Sequence, residues 1–193
     1  MPVSSSKLVG LGSKATSLIQ TIWNPADTNG TITLSSGDRV ASIANAAGQY
    51  KGTRSVKSTD GTNKLYGEIT IGTTVANNIF GVGTSSVSLS GGYLGSTSSG
   101  WGIQYGGQKV TNGTFSSFTG GPISNGDIFM VAFDSVNGDL YFGRNGSWFD
   151  SGSPLFTGVS PNIFLLASMS GTASATLAES LTYAVPSGYD IWV

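Results

Sequence analysis

The chain has 193 residues and a formal net charge of −1, which is enough material for one ordinary domain. Gly, Ser, Thr and Asn supply nearly half of the residues, while Glu occurs only twice. Such a composition disfavours helices and favours short strands joined by tight turns. The absence of His and Cys excludes His-based triads, zinc–thiolate sites, disulfides and thiol nucleophiles.

The first stretch, residues 1–20, is small, polar and only weakly apolar. It lacks the apolar centre of about 7–15 residues that a secretory signal requires, so we expect synthesis in a cytoplasm without export by that route. We predict an N-terminal arm or docking segment over residues 1–20 and a single domain over residues 21–193. Lys7 and Lys14 are the candidate docking residues of the arm, because their charge suits an acidic partner.

Charge is distributed unevenly along the chain. Residues 1–64 carry seven Lys and Arg against three Asp, whereas residues 65–193 carry two against seven acidic residues. The net charge of the chain is close to zero, which does not indicate a nucleic-acid-binding protein. The longest unbroken apolar run, Ile128 to Phe133, is far shorter than the roughly 18 residues that span a bilayer, so we expect no membrane insertion.

Strand patterns follow one another with few gaps. Residues 64–71 alternate, with Leu65 and Ile69 on one face and Tyr66 and Glu68 on the other. Residues 127–134 are apolar on both faces, which is typical of a central strand covered on both sides. The predicted strands are 31–35, 64–71, 79–83, 127–134, 138–143, 161–170 and 173–183, with residues 84–99 as a long surface loop.

Turn dipeptides separate these patterns. Asn-Gly occurs five times, and it is the strongest hairpin dipeptide because both residues tolerate positive φ. Asn137-Gly138 stands between two clear strands and predicts a hairpin. Many short strands with such turns predict an all-β fold, an antiparallel two-sheet β-sandwich of the jelly-roll kind. The predicted core comprises Ile69, Phe80, Val82, Phe129, Val131, Phe133, Leu140 and Phe142.

The order of short motifs along the chain resembles that of the SPRY domain, a concanavalin A-like β-sandwich. Each motif alone is common, whereas their shared order over about residues 21–190 is fairly specific. The matching segments are Trp23 with Gly30–Ser35, Arg54-Ser55, Lys64–Glu68, Phe80–Gly83, Gly100–Gly102, Gly126-Asp127 leading to Val131–Asp134, Gly138–Phe142 with Asn145-Gly146, and 161–170.

The resemblance implies a binding module, since SPRY domains hold peptides or proteins through loops at one end of the sandwich and are not enzymes. Some members use a Trp-Gly pair in a late strand as a pocket wall. The matching place here is Ser170-Gly171, where the Gly is present and the Trp is absent. That peptide pocket is therefore not expected in the same form.

Acidic residues are the candidates for catalysis or metal binding. Sandwich glycosidases need two carboxyl groups roughly 5–10 Å apart, but Glu68 and Glu179 are the only Glu and no acidic strand cluster accompanies them. Asp134 and Asp139 offer oxygen ligands for calcium without a calcium-loop spacing, and turn-stabilising roles are the alternative. We expect no catalysis, no cofactor and no metal.

Aromatic side chains in loops are the candidate ligand-binding residues. Tyr93 and Leu94 lie in the long Ser- and Gly-rich loop, and Trp148 and Phe149 lie beside a predicted turn. Rigid aromatics among Gly and Ser supply stacking area and adaptable hydrogen bonds. The alternative is that they cap the ends of the sandwich, and the pattern leaves both open.

The ending, residues 183–189 before Trp192, resembles the close of SPRY-like modules in bacteriophage virion proteins. This resemblance implies a virion structural protein that decorates the capsid as a head decoration or head fibre, with other virion proteins as partners. One alternative is a tail-associated adhesin that binds a host surface glycan or protein. A cellular adaptor for protein interactions is the other.

Overall fold

The computed structural model describes residues 19–75 and 77–193. These residues form strands linked by turns and loops, together with one short 3-10 turn at Phe149–Gly152. The strands are β1 Trp23–Thr28, β2 Thr33–Ser35, β3 Val40–Ser58, β4 Lys64–Ile71, β5 Ile79–Gly83, β6 Gly100–Gln104, β7 Gln108–Thr111, β8 Thr114–Ser116, β9 Ile128–Asp134, β10 Asp139–Arg144, β11 Ser147–Trp148, β12 Phe164–Thr176 and β13 Asp190–Ile191.

Two long strands, β3 and β12, belong to both layers of the fold. The first half of β12 pairs with β5 and with the second half of β3, while its last two residues pair with β4. The front sheet therefore runs β8-β7-β6-β5-β12-β3-β1, and the back sheet runs β11-β10-β9-β4-β12-β3-β2. One continuous hydrogen-bonded sheet thus curls into two packed layers, and the predicted antiparallel sandwich is confirmed.

The late part of the chain departs from the prediction. Residues 161–170 and 173–183 do not form two strands, because β12 runs unbroken from Phe164 to Thr176. Gly171 has a φ of +69°, and the register with β3 shifts on both sides of it. A glycine at positive φ here makes a bulge that bends the strand from one sheet into the other. The chain pairs again only at β13, which runs parallel to β4.

The main core lies between the two sheets. Strand alternation sends every second side chain inward, so Phe129, Val131 and Phe133 of β9 meet Phe80 and Val82 of β5 in one buried cluster. All eight predicted core residues are buried there, which confirms that prediction.

The outer face of the front sheet carries a floor of glycines. Gly81 pairs with Gly102, and Gly83 pairs with Gly100. A Cβ on Gly100 would lie 2.8 Å from the Leu94 side chain, and one on Gly83 would lie 2.7 Å from Val87, so these glycines leave room for side chains of the loop. The long loop between β5 and β6 therefore packs on the sheet as a second cluster with buried Ile79, Val87, Leu94, Val110 and Leu166.

Arg54 fastens this loop to the sheet. Its guanidinium is buried and donates two hydrogen bonds to the carboxylate of Asp27, at 2.5 and 2.9 Å. Its Nη1 donates to the backbone oxygens of Thr84 and Val87 at 2.9 and 3.0 Å. One side chain therefore links β3, β1 and the start of the loop.

The hairpins divide into two types. At Asn112-Gly113 and Asn145-Gly146 both residues have positive φ, as the two-residue turns between β7 and β8 and between β10 and β11 require. The predicted hairpin at Asn137-Gly138 is confirmed, since Asp134 pairs with Asp139. Its loop has four residues, and only the glycine takes positive φ.

Gln20, assigned from sequence to the N-terminal arm, lies inside the domain instead. Its side chain is buried and bonds both ways with the backbone of Glu68, donating at 2.7 Å and accepting at 2.6 Å. The neighbouring Thr21 donates its backbone N–H to Trp192 O at 2.7 Å. Within residues 19–75 and 77–193, no helix combines the length and apolar character needed to cross a membrane.

Candidate functional site

An aromatic cleft of about 230 Å³ opens on the outer face of the back sheet. Strands β9, β10 and β11 supply its floor and one wall, and the segment after β12 supplies the other wall. The residues that line it are Ala132, Tyr141, Trp148, Gly152, Pro186 and Tyr189. We call it the aromatic cleft.

The floor of the aromatic cleft follows from strand register. Tyr66 of β4 pairs with Ala132 of β9, which pairs in turn with Tyr141 of β10. The three side chains therefore form one row on the outer face. Tyr66 is fully buried, so the hollow lies above the methyl group of Ala132 and beside the ring of Tyr141.

Trp148 stands over this row. It lies on the two-residue strand β11, which the Asn145-Gly146 turn folds back onto β10. Its ring centroid lies 6.1 Å from that of Tyr66 and 6.4 Å from that of Tyr141, at interplanar angles of 73° and 72°. Two walls of the cleft thus meet at nearly a right angle, and Trp148 itself remains half-buried.

The far wall is held in place by Glu68. This buried carboxylate accepts a hydrogen bond from the Tyr66 hydroxyl at 2.7 Å. It also accepts from the backbone N–H groups of Thr182 and Tyr183, at 2.8 and 2.9 Å. The segment after β12 is thereby pinned to β4. We call this set of bonds the Glu68 latch.

The tyrosines of the cleft have perturbed acidity. Burial, followed by the charges of Tyr141, Asp134 and Asp139, raises the pKa of Tyr189 to about 12. Burial and then the charge of Asp139 raise the pKa of Tyr141. The pKa of Tyr66 is raised first by burial and then by its hydrogen bond to Glu68. Burial and negative charge therefore both act at the cleft.

The two acids beside the cleft differ in their partners. Asp134 lies 2.7 Å from the ammonium of Lys64 and accepts a hydrogen bond from the Asn137 amide. Burial raises the pKa of Asp134, but these two partners outweigh it and bring the net pKa below its usual range. The side chain of Asp139 makes no hydrogen bond or ion pair with any residue in the described part of the chain.

The remaining acids offer little for chemistry. Across residues 19–75 and 77–193 no three acidic side chains come close enough together to hold a metal ion. Both carboxylate oxygens of Glu68 accept hydrogen bonds in the latch.

The predicted ligand-binding residues are dispersed. Trp148 lines the aromatic cleft. Phe149 is only 3% exposed and packs in the main core, with its ring centroid 4.8 Å from that of Phe118. Leu94, expected in an exposed loop, is 1% exposed on the glycine floor. Neither Phe149 nor Leu94 has surface left to contact a ligand.

Tyr93 belongs to a different surface. Its ring centroid lies 5.6 Å from those of Tyr50 and Phe115, on the outer face of the front sheet, opposite the aromatic cleft. Tyr93 and Trp148 therefore cannot contact one small ligand together. The candidate docking residues Lys7 and Lys14 fall outside the described residues.

Sequence reasoning missed Tyr141, Tyr189 and Pro186 as members of a site. A signal for Tyr141 existed, because the alternation of β10 predicts an outward tyrosine beside outward Asp139. Tyr189 and Pro186 carried no comparable signal, since their position depends on how the final segment folds back over the sheet.

Comparison with known proteins identifies the fold. No family model and no curated protein sequence matches the chain. The structure of the SPRY domain of human HERC1 is similar, with a TM-score of 0.69 and 15% identity over 83% of this chain and 99% of that domain. Stonustoxin is similar with a TM-score of 0.59 and 17% identity over 81% of this chain. The match spans only 26% of the stonustoxin chain. The chain therefore has the fold of a SPRY domain, a curled antiparallel β-sandwich of the concanavalin A-like kind.

Proposed function

We propose that this chain is a non-enzymatic binding module whose working surface is the aromatic cleft. The observation that carries the proposal is the hollow of about 230 Å³ above Ala132, which is lined by the rings of Tyr141, Trp148 and Tyr189. Aromatic rings in a partly desolvated pocket are the usual anchors of recognition. The SPRY-type fold agrees with this role, since the SPRY domain is typically a binding module.

The buried polar groups outside the cleft stabilise the fold. In the described part of the chain, every buried side-chain nitrogen and oxygen has a hydrogen-bond partner. Glu68 and Arg54, which are buried charged side chains, are used by the latch and by the anchored loop. A non-enzymatic role is consistent with acidic groups that serve structure, because acid–base catalysis needs groups free to exchange protons with a substrate.

The setting that we propose is a bacteriophage virion, where the module decorates the capsid as a head decoration or head fibre. The resemblance of residues 183–189 to virion modules supports this setting, and the same segment contributes Pro186 and Tyr189 to the cleft. The tail-associated adhesin remains the second candidate, because a cleft lined by aromatic rings also suits a host surface ligand.

Peptide and glycan arrays test the binding role. We expect the wild-type protein to retain a set of ligands that Ala132→Leu loses, since a larger side chain at this position fills the hollow. Val136→Ala is the matched control, because Val136 is 61% exposed at the β9–β10 turn and lies outside the cleft lining. If both variants retain every ligand that the wild type retains, the aromatic cleft is not the working surface.

Gold-labelled antibodies on purified phage particles test the setting. Label on the heads is expected for a decoration protein. Label confined to the tails establishes the adhesin instead, and particles without the chain contradict any virion role.

A further inference from the structure

The aromatic cleft is too small for a whole drug-sized ligand. Its volume of about 230 Å³ lies below the roughly 300–1,000 Å³ of pockets that enclose such molecules. One side chain or one small head group can enter it. The chemistry of the walls then determines which group is favoured.

The arrangement of the rings favours a compact group over a sugar. Tyr141 and Trp148 stand at 72° to each other, so they cannot both lie flat against one face of a pyranose ring. A cation needs only one ring face, within about 6 Å of the centroid, and Trp is the best of the aromatic partners. A corner of rings therefore suits a cation better than a flat sugar.

The charge beside the cleft has the sign that a cation requires. Asp139 precedes Tyr141 by two residues on β10, so both side chains lie on the outer face of the sheet. The charge of Asp134 is paired with Lys64 at 2.7 Å, whereas Asp139 has no partner among the described residues. The negative charge of Asp139 contributes to the raised pKa of Tyr141 and of Tyr189, while the charge of Lys64 acts on Tyr141 in the opposite direction.

We propose that the aromatic cleft binds the lysine or arginine side chain of a partner protein, with the cationic group against the rings and close to Asp139. The inference rests on the proposed binding function and names the chemistry of the occupant. Charge complementarity supports it further, because two carboxylates, Asp134 and Asp139, act on the tyrosines of this surface, and of the two only Asp134 forms an ion pair among the described residues, with Lys64.

The test titrates the full chain with small probes and follows the indole N–H signal of Trp148 by NMR. The cationic probes are Nα-acetyl-lysine amide and Nα-acetyl-arginine amide. The matched neutral probe is Nα-acetyl-norleucine amide, and methyl α-glucoside and choline represent sugars and lipid head groups. We expect a saturable shift with at least one cationic amide, at an affinity about fivefold or more above that of the norleucine amide.

Three variants locate the interaction. Ala132→Leu should abolish the shift by filling the floor. Asp139→Asn, an isosteric change on the surface, should weaken binding of the cationic amide by about three- to tenfold and leave the norleucine amide unaffected. Asp38→Asn removes one charge at the β2–β3 turn, on the opposite edge of the back sheet, and should change nothing.

The outcomes separate this inference from the proposed function. If norleucine amide or the glucoside binds as tightly as the cationic amides or more tightly, the preference for a cation is refuted, and the cleft is still a binding site. Tighter binding of choline than of both cationic amides overturns a protein side chain as the occupant. A Trp148 signal that no probe moves overturns the inference as well, while the array comparison of Ala132→Leu with Val136→Ala still decides the proposed function independently.

Discussion

The Glu68 latch holds the far wall of the aromatic cleft, and its strength can be measured with one isosteric substitution. Glu68→Gln keeps the shape of the side chain but replaces one carboxylate oxygen with an amide NH₂ group. If the amide oxygen occupies the Oε1 position, the bonds from the Tyr66 hydroxyl and the Tyr183 N–H survive. The NH₂ group then faces the N–H of Thr182, which previously donated at 2.8 Å.

The expected loss follows from these bonds. A hydrogen bond to a charged group contributes about 1.5–3 kcal/mol, and Thr182 is exposed, so water can satisfy part of the freed N–H. We therefore expect Glu68→Gln to reduce the free energy of unfolding by about 2 kcal/mol, which lowers the Tm by about 4–8 °C for a domain of this size. Glu68→Ala also leaves the buried Tyr66 hydroxyl without its hydrogen-bond acceptor and should reduce the free energy of unfolding by about 4 kcal/mol.

Urea denaturation followed by tryptophan fluorescence measures both variants. Glu179→Gln is the matched control, because Glu179 is the only other Glu in the chain and is exposed. We expect this control to lie within about 0.5 kcal/mol of the wild type. If Glu68→Gln unfolds at the same urea concentration as Glu179→Gln, the latch does not hold the segment and the account of the far wall fails.

Three further predictions concern the rest of the fold. Arg54→Ala should cost about 3–5 kcal/mol, because it leaves buried carbonyls and a carboxylate without their donor; a urea midpoint equal to that of the wild type would contradict this. Gly81→Ala places a Cβ 2.7 Å from the Cα of Gly102 and should cost about 3 kcal/mol or more, whereas Gly30→Ala, with nothing within 4 Å, should be neutral in the same melts. The pKa of Tyr189 is about 12 in the folded state and about 10 in an unfolded chain, so the folded state binds more protons between these pH values. The free energy of unfolding should therefore fall as the pH rises through that window. Tyrosinate absorbance should then appear together with unfolding.

Much of the fold could be predicted from local pattern. Strand β4 begins and ends where the alternation of inward and outward side chains does. Strand β9 is apolar on both faces because the core covers one face and the final segment covers the other. The glycines of β5 and β6 could not be explained in advance. Their role depends on the pairing of Gly81 with Gly102 and on the seating of Leu94 upon them.

The candidate site was predicted only in part, for a related reason. Trp148 was selected from its place near a turn, and the outward face of Tyr141 follows from alternation. That these two rings meet over Ala132 is set by the register of β9, β10 and β11, which a single sequence does not reveal. The prediction of two late strands is wrong because Gly171, which lies between them, bends one long strand and does not end it.

The two strands shared by both sheets also determine when the chain can fold during its synthesis. Leu165 of β12 donates its backbone N–H to the side chain of Ser55 of β3, 110 positions earlier in sequence. Neither sheet can close until β12 has left the ribosome, because β12 is an interior strand of both. At about 5–20 residues per second, the 110 residues between Ser55 and Leu165 take about 5–20 s to synthesise. Pairings of such long range also fold slowly once available, so the nascent chain exposes the edge of β3 that later pairs with β12, while β1 and β2 can pair with its other edge. We expect limited proteolysis of stalled nascent chains to cleave β3 until β12 emerges and to spare it thereafter.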